Sequence, residues 1–428
     1  TTILGSNPSA PAKIMKKLSL NSNIFFKIKK KFFPFYKQKK IKELFNLLEK
    51  NQEHKRVAMF VGGAVRRFIT DKDIDDIDIA TILTPEELKK KFHNTNFNLI
   101  ETGLLHGSIT LINGEDKYEI TTLRKDLETD GRHAEVEFTD NWQQDSNRRD
   151  FTINAIYLNK DGKIYDPQFG LKDLNNNIVK FIGDPIKRIE EDYLRIIRYV
   201  RFSLEYKSDL DQSTVKAIKL SINGIKNLSK ERILNELFKI LSLNNFFEIE
   251  ENKDLKKIFL LIFPEFKHID RLNKYKLINH NVEFTKDIIL GILLIDETDN
   301  HQYFCHKYKT SNQMKEKLEL LRNLYFKHNN DKHFFKTNMQ KNIYKFGKTN
   351  IKKINLLLLF INKKYKLDDY LKNNLEIENT LLPKFPFDGK YLINKGLVEG
   401  KKLGLVLKDL EEKWINNNFT ISEEDIDT

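Results

Sequence analysis

Cysteine and long apolar runs are nearly missing from this chain of 428 residues, and each absence excludes a class of protein. The single cysteine, Cys305, excludes a disulfide within the chain, and we expect it to be a small core residue. The longest apolar stretches, Ile288–Ile295 and Leu356–Ile361, are far shorter than the roughly 20 residues that span a bilayer. We therefore expect a globular protein of several domains, in a reducing compartment and with no membrane partner.

Acidic residues are absent from residues 1–42, which carry eleven lysines. The net charge of the chain is +13, and subtracting these eleven leaves +2 for the rest. A basic nucleic-acid surface therefore cannot be argued from charge alone. Aromatic residues alternate with lysines from Phe25 to Lys42, which leaves four interpretations open: a nucleic-acid arm, a membrane-surface helix, a targeting peptide, or a helix that packs on the first domain. Met15 is interpreted as the native start.

A glycine pair and an acidic run are the most informative features of the chain. Gly62 and Gly63 follow the apolar stretch Val57–Val61 and let the backbone approach a phosphate closely. Asp76 and Asp78 lie two residues apart, a spacing that on a strand places both side chains on one face. Carboxylates about 4 Å apart would repel by roughly 4 kcal/mol at an effective dielectric near 20, and Mg²⁺ would remove this repulsion. Together they indicate phosphoryl or nucleotidyl transfer, although each pattern alone is more often a turn or an exposed edge.

The pattern of apolar residues predicts a mixed α/β region from about residue 55 to 160. Predicted elements are strands at Val57–Val61, Ile77–Ala80, Ser108–Ile112 and Tyr118–Leu123, a turn at Asn113-Gly114, and helices at Ala64–Ile69 and within Thr81–Phe92. After Asp184-Pro185 the turn signals fade, and the rest of the chain is predicted to be helical almost throughout.

Further motifs follow the acidic run at ordered intervals. They are Thr102–Ser108, Glu119–Arg124, Asp130–Thr139, Arg148–Ala155, Glu191–Phe202 and Glu231–Leu241, with weaker signals in Phe385–Gly389 and Gly404–Ile415. The ordered series resembles the class II CCA-adding enzymes, which are tRNA nucleotidyltransferases of the polymerase-β-like superfamily. Bacterial poly(A) polymerases belong to the same class. Each motif alone is weak, but the ordered set is very specific.

The resemblance implies an α+β fold. We expect a polymerase-β-like nucleotidyltransferase head with a small mixed or antiparallel β-sheet, followed by an all-helical neck, body and tail. The predicted divisions are a basic extension at 1–42, the head at 43–165, a neck with base recognition at 166–242, the body at 243–345 and the tail at 346–428.

The resemblance also assigns roles to the carboxylates. Asp76 and Asp78 would hold Mg²⁺, orient the triphosphate and lower the pKa of the attacking 3′-hydroxyl. Glu119, on a neighbouring strand, would be the third carboxylate or the general base, and its alternative role is that of a strand-surface acid. Asp75 is the alternative member of the acidic run.

A second group of residues is implied to bind the nucleotide. Its members are Gly62, Gly63, Arg66, Arg149, Asp150, Asp192, Arg195, Arg198 and Arg201. Gly63 would meet the triphosphate with its backbone N–H and Arg66 with its guanidinium fork. Asp150 can accept from a ribose 2′-hydroxyl, which would favour ribonucleotides. The family usually has aspartate at the position of Arg67, so the role of this position is open.

Asp192 and the arginines after it are spaced by three residues, which on a helix gives one slowly drifting stripe. In the family, the aspartate and the first arginine, here Arg195, present a Watson–Crick-like edge to the incoming base. Such an edge would pair with C and A, whereas G and U would leave buried polar groups unpaired. The alternative is a solvent-facing helix with an Asp192–Arg195 ion pair.

The implied reaction is template-independent addition of C, C and A from CTP and ATP to the 3′ end of tRNA, with release of pyrophosphate. The expected partners are tRNA, CTP and ATP, with no protein partner evident, in the cytoplasm or, if the basic segment is a targeting peptide, an organellar matrix. Three alternatives stay open. One is a poly(A) polymerase, whose Gly-Arg-Arg-Phe-like signature we do not find. Another is a partial CC- or A-adding enzyme, of which the CC-adding form would lack part of the loop Asp130–Thr139, and the third is a non-catalytic RNA-binding relative. His106 and His133 lack metal-ligand spacing, and Trp414 is expected in a helix core.

Overall fold

The computed structural model describes residues 34–53, 56–104, 107–129, 134–278, 282–396 and 398–422. The chain divides into two compact units after Arg232. Every strand of the described residues lies in the first unit, and the described part of the second unit is helical. The helical prediction for the part of the chain after Asp184-Pro185 is therefore confirmed for these residues.

Nine strands of the described residues form a mixed sheet and a separate hairpin. They are β1 (Ala58–Val61), β2 (Ile77–Thr81), β3 (Asn98–Gly103), β4 (Ser108–Asn113), β5 (Asp116–Thr122), β6 (Arg124–Thr129), β7 (Ala134–Phe138), β8 (Tyr157–Leu158) and β9 (Ile164–Tyr165). The main sheet has the order β3-β4-β5-β2-β1-β8-β9, and β6 pairs with β7. Within the described strands, β2 and β5 form the parallel pair, and the other pairs are antiparallel.

The helices of the first unit cover this sheet or follow it along the chain. They are α1 (Lys39–Glu49), α2 (Gly63–Ile69), α3 (Pro85–Phe92), α4 (Trp142–Arg148), α5 (Gly170–Asn175), α6 (Pro185–Glu191), α7 (Leu194–Glu205), α8 (Gln212–Ser221) and α9 (Lys230–Leu241), in which the division between the units falls. In α1, Ile41, Leu44, Phe45 and Leu48 are fully buried, so this stretch belongs to the core. The predicted boundary at residue 42 lies inside α1.

Strand β2 begins at the predicted residue and ends at Thr81, one residue beyond the predicted Ile77–Ala80, and the next helix lies within the predicted Thr81–Phe92. Thr81 ends β2, and the following helix begins only at Pro85, where the Thr84 side chain accepts from the Glu87 backbone N–H and the Glu87 carboxylate accepts from the Thr84 N–H. This capping box, with proline at the first helical position, stops the helix from starting earlier. Asp76 lies one residue before β2 begins, so the spacing argument, which has Asp76 and Asp78 on one strand, is not met.

The second unit packs helices around aromatic and aliphatic side chains. Its further helices are α10 (Lys253–Ile262), α11 (Lys286–Leu294), α12 (Asn300–Tyr308), α13 (Asn312–Asn330), α14 (Met339–Phe346), α15 (Lys348–Ile361), α16 (Leu367–Asn379), α17 (Gly389–Asn394) and α18 (Lys401–Asn416). Cys305 and Trp414 are buried, as predicted. The Trp414 ring lies 5.3 Å from the Phe385 ring and 5.4 Å from the Tyr344 ring. In the described part of the chain, no helix has the length and apolar character needed to cross a membrane.

Candidate active site

Gly62 brings the start of α2 against the acidic strand β2. Its φ of 70° lies in the left-handed region that favours glycine, and a Cβ at this position would lie 3.1 Å from the Asp78 carboxylate oxygen Oδ2. A side chain at residue 62 would therefore strain the backbone and crowd Asp78. A Cβ added at Gly63 would meet no atom within 4 Å. The backbone at Gly63 is thus open to close approach by a ligand.

Three carboxylates, Asp76, Asp78 and Glu119, form a cluster that we call the acid edge. The parallel register places Asp78 directly opposite Glu119, so both side chains lie on one face of the sheet. Asp76 and Glu119 are exposed, and Asp78 is half-buried. The pKa of Asp78 is raised above its ordinary value by burial, then by the negative charge of Glu119 and Asp76, against the lowering effect of Arg149 and Arg66. The edge therefore favours a bound cation or a proton.

Lys117 supplies one positive charge to the acid edge. It lies two residues before Glu119 on β5, and its ammonium nitrogen donates to the Glu119 carboxylate at 2.6 Å. This hydrogen bond and the charge of Glu119 raise the pKa of Lys117, with smaller contributions from Asp76 and Asp78. Glu119, the predicted third carboxylate, thus has an ammonium partner here.

The described residues contain no group of three or more histidine, cysteine, aspartate or glutamate side chains arranged to hold a metal ion. Such a group would form a metal site made of protein ligands alone. Mg²⁺, however, is usually bound by one or two carboxylates together with substrate phosphates. The acid edge has the carboxylate oxygens that this second kind of site requires.

A buried aspartate, Asp145, organises the arginines at the end of α4. Its carboxylate accepts from Arg148 Nε at 2.8 Å, from Arg149 Nη2 at 3.0 Å and from the Tyr157 hydroxyl at 2.7 Å. Burial alone would raise the pKa of Asp145, but the two guanidinium groups outweigh it and hold the pKa well below the ordinary value. Burial lowers the pKa of Arg149 and the charge of Asp145 raises it, and the resulting pKa lies above the ordinary value. Arg149 is therefore a fixed, permanently charged donor.

Asp150 forms a second ion pair, with Arg198 on α7. The Asp150 carboxylate accepts from Arg198 Nε at 2.7 Å and from the Asn154 amide at 2.7 Å. Asn154 in turn accepts from the Arg66 guanidinium, whose Nε donates to the Tyr206 hydroxyl at 3.1 Å. Arg66, predicted to grip the triphosphate, is buried and engaged with these protein groups in this structure. Its contact with a nucleotide stays a prediction.

The predicted stripe that begins at Asp192 is only partly present. Arg195, Arg198 and Arg201 lie on α7, but the helix begins at Leu194, and Asp192 has extended backbone angles after the end of α6. The Asp192 carboxylate accepts from Arg232 Nη2 at 2.7 Å. The alternative of an Asp192–Arg195 ion pair within one helix is therefore wrong.

Arg195 is held by α6 and by the end of α4. Its Nη1 pairs with the Glu191 carboxylate and donates to the Arg188 carbonyl at 2.7 Å, and its Nη2 donates to the Arg148 carbonyl at 3.3 Å. We call the three pairs Arg149–Asp145, Arg198–Asp150 and Arg195–Glu191 the arginine network. Arg201 lies outside this network, with Nη1 3.9 Å from the Glu205 carboxylate and its guanidinium over the Phe202 ring.

Sequence reasoning gave no role to Asp145, Asn154, Tyr157 or Glu191. For Asp145 a signal was present, because Arg148 and Arg149 follow it by three and four residues, the spacing of helical ion pairs. Glu191 likewise precedes Arg195 by four residues. The contacts of Tyr157 and Asn154 depend on tertiary structure. His106 and His133 lie outside the described residues, as does part of the loop Asp130–Thr139.

Comparisons with known proteins show the family to which this chain belongs. Residues 58–180 match the family described as "Poly A polymerase head domain", and residues 209–270 match the one described as "Probable RNA and SrmB- binding site of polymerase A". The CCA tRNA nucleotidyltransferase 1 of Danio rerio mitochondria is 32% identical over 400 residues, which cover 90% of this chain and 88% of that protein. The chain belongs to the CCA-adding tRNA nucleotidyltransferases.

Other relatives agree with this family membership. The CCA-adding enzyme of Lactobacillus helveticus is 31% identical and covers 86% of this chain and 92% of its own length. The Bacillus stearothermophilus CCA-adding enzyme, solved in complex with CTP, superposes with a TM-score of 0.69 at 22% identity over 89% of this chain and 94% of that one. The predicted resemblance and fold class are therefore confirmed, and the chain is a nucleotidyltransferase. Enzymes of this family generally use a divalent metal ion.

Proposed function

We propose that this CCA-adding enzyme adds C, C and A from CTP and ATP to the 3′ end of tRNA, with release of pyrophosphate. The observation that carries the proposal is the closeness of the glycine turn to the acid edge, since a Cβ added at Gly62 would lie 3.1 Å from the Asp78 carboxylate oxygen Oδ2. A triphosphate requires an open backbone turn, and its metal ion requires carboxylates beside that turn. The curated relatives named for CCA addition support the choice of this reaction within the class.

We propose Mg²⁺ as the metal ion, held by Asp76 and Asp78. The fit rests on the register that places Asp78 opposite Glu119, on the pKa of Asp78, which burial and then the negative charges of Glu119 and Asp76 raise, and on hard carboxylate oxygens that suit Mg²⁺. When bound, Mg²⁺ would supply positive charge to the triphosphate and lower the pKa of the tRNA 3′-hydroxyl. Glu119 stays a proposed third carboxylate or general base, and Lys117 would have to leave it in either role.

The arginine network is proposed to hold the nucleotide. Arg149 keeps its charge at any physiological pH and is fixed by Asp145, so it would donate to the triphosphate or ribose without reorganising. Asp150 is oriented by Arg198 and Asn154, and a carboxylate has enough lone pairs to accept from a ribose 2′-hydroxyl as well. Gly63 and Arg66 are proposed as triphosphate contacts, and Arg201 as a further contact at the end of the stripe.

Asp192 and Arg195 are proposed to read the base. Both are held by other groups, Asp192 by Arg232 and Arg195 by Glu191. Such fixed acceptors and donors favour a base whose polar edge complements them and penalise one whose edge does not. We further propose that tRNA is the nucleic-acid partner, and that the enzyme works in the cytoplasm or in an organellar matrix, since its relatives are mitochondrial and bacterial proteins.

The test is an incubation with tRNA that lacks its 3′ CCA, with each nucleoside triphosphate offered singly and in pairs. We expect two additions from CTP alone and three from CTP with ATP, resolved by denaturing gel electrophoresis at single-nucleotide resolution. A tRNA that already ends in CCA is the control and should gain nothing. A long tail made from ATP alone would contradict the proposal and favour the poly(A) alternative, and a product that stops after CC would favour the partial enzyme.

A further inference from the structure

The loop of residues 70–76 joins α2 to β2 and carries Asp76 at its end. Its backbone is turned by Asp71, which has a φ of 55°. The two glycines at the start of α2 and the two aspartates of the acid edge, Asp76 and Asp78, thus lie at opposite ends of the segment of residues 62–78. Contacts that hold this loop in place therefore also determine the position of Asp76 relative to Asp78.

Arg67, on α2, contacts this loop at three positions. Its backbone carbonyl accepts from the Lys72 N–H at 2.8 Å, and its Nη1 donates to the Asp73 carbonyl at 2.8 Å. The same Nη1 pairs with the Asp75 carboxylate. The planar guanidinium suits this double contact, because its donors leave in fixed directions.

The Arg67–Asp75 pair contributes little to the stability of the fold. The side chains are 37% and 65% exposed, and ion pairs at such exposure are screened by water and salt. Asp75 immediately precedes Asp76 in the chain, and Arg67 immediately follows Arg66. The effect of the pair is therefore local, on the loop that ends in the metal carboxylate.

We propose that Arg67 and Asp75 form a positioning pair that holds Asp76 in place as a metal ligand beside Asp78. The inference rests on the proposed metal site. It assigns a role to Arg67, which departs from the usual aspartate of the family, and it gives Asp75 the role of an anchor and not that of a ligand. Asp75 and Arg67 would then act only as a pair.

The test is Mn²⁺ binding to the full chain, measured by electron paramagnetic resonance of the uncomplexed ion, with no nucleotide present. We expect Arg67→Gln and Asp75→Asn each to weaken Mn²⁺ binding by about two- to fivefold, since an exposed ion pair contributes at most about 1 kcal/mol, which corresponds to about a fivefold change in affinity. The exchanged pair R67D/D75R keeps the net charge and should recover most of the loss.

Two competing explanations predict different patterns. If Arg67 acts only through its charge, Arg67→Gln should tighten Mn²⁺ binding, because a positive charge near the carboxylates is removed. If Asp75 is itself a ligand, Asp75→Asn should weaken binding, Arg67→Gln should not, and the exchanged pair should fail to recover it. Either pattern would overturn the positioning role.

The matched control is the Lys89–Glu101 pair of the same unit, with a 2.6 Å separation and 39% and 48% exposure. Lys89→Gln and Glu101→Gln should leave Mn²⁺ affinity unchanged, and the thermal unfolding midpoint of each variant should stay near that of the parent. Asp76→Asn separates the two proposals. Unchanged Mn²⁺ affinity in Asp76→Asn would overturn the metal site itself, whereas weaker binding there and parent-like binding in Arg67→Gln and Asp75→Asn would overturn only the pair.

Discussion

The acid edge and the arginine network both contain many charged side chains, but they differ in how positive and negative charges are paired. At the acid edge, burial and then the like charges of Glu119 and Asp76 raise the pKa of Asp78, and exposed Glu119 has a lysine partner. In the arginine network, buried carboxylates face guanidinium groups, and the pKa values of Asp145 and Asp150 are lowered. The first region is unbalanced without a cation, and the second is balanced by the protein itself. A region of the first kind suits metal binding, and one of the second kind holds donors in fixed positions.

The largest effect is expected at the acid edge. Asp78→Asn should lower the rate of nucleotide addition by about a thousandfold or more, because charge stabilisation by a metal ion contributes several kcal/mol and each 1.36 kcal/mol is a factor of ten. Single-turnover addition of C to tRNA that lacks CCA measures it. Retained tRNA binding in a gel-shift assay is the control for folding.

The same variant tests the sign of the Asp78 pKa shift. Because the folded pKa lies above the ordinary 3.8, ionisation of Asp78 destabilises the metal-free fold as the pH rises through the folded pKa, and the cost is absent below the unfolded value. Asp78→Asn should therefore unfold at a higher temperature than the parent in metal-free buffer near neutral pH. A lower unfolding temperature would contradict the description of the acid edge.

The second-largest effect is expected on nucleotide selectivity, when the side chain of Asp192 or Arg195 is removed. A site that hydrogen-bonds the polar edge of its substrate can reject an analogue without that edge by a factor of about 10⁴–10⁵. Asp192→Ala or Arg195→Ala should therefore remove much of the preference for CTP and ATP over UTP and GTP. The metal carboxylates remain, so some turnover should persist. Incorporation of all four nucleotides on tRNA that ends before CCA measures this. Unchanged selectivity in both variants would remove Asp192 and Arg195 from base reading.

A smaller effect on catalysis, with a clear effect on stability, is expected from Asp145→Asn. Removal of one partner from a buried ion pair typically lowers the free energy of unfolding by about 3–5 kcal/mol. Because the folded pKa of Asp145 is depressed, its stabilisation is fully present above the unfolded value of 3.8 and is lost as the pH falls through the folded value. Urea unfolding of parent and variant should therefore differ by a constant amount near neutral pH and converge in strong acid. A difference that grows as the pH falls would contradict the assigned partners.

The sequence predicted the acid edge better than the arginine network, for a physical reason. Strand periodicity is local, so the positions of Asp78 and Glu119 on β2 and β5 could be read from alternating residues, and the register then brought them together. Asp192 was misplaced because its three-residue spacing from Arg195 continues across the end of α6, where the backbone becomes extended. No sequence pattern shows that Tyr157, on β8, reaches Asp145, because that contact depends on how α4 packs on the sheet. The divisions at residues 165 and 345 stay predictions.

The position of the metal ion tests the division of roles between the acid edge and the arginine network. Crystals of the enzyme with Mn²⁺, CTP and tRNA that lacks CCA would give an anomalous difference map at the manganese edge. We expect a peak coordinated by the carboxylates of Asp76 and Asp78 and by triphosphate oxygens, with Arg149 and Arg195 on the nucleotide side and not coordinated to the ion. A peak that lies among the arginine network, or one that is coordinated by Asp75 in place of Asp76, would contradict the division of roles between the two regions.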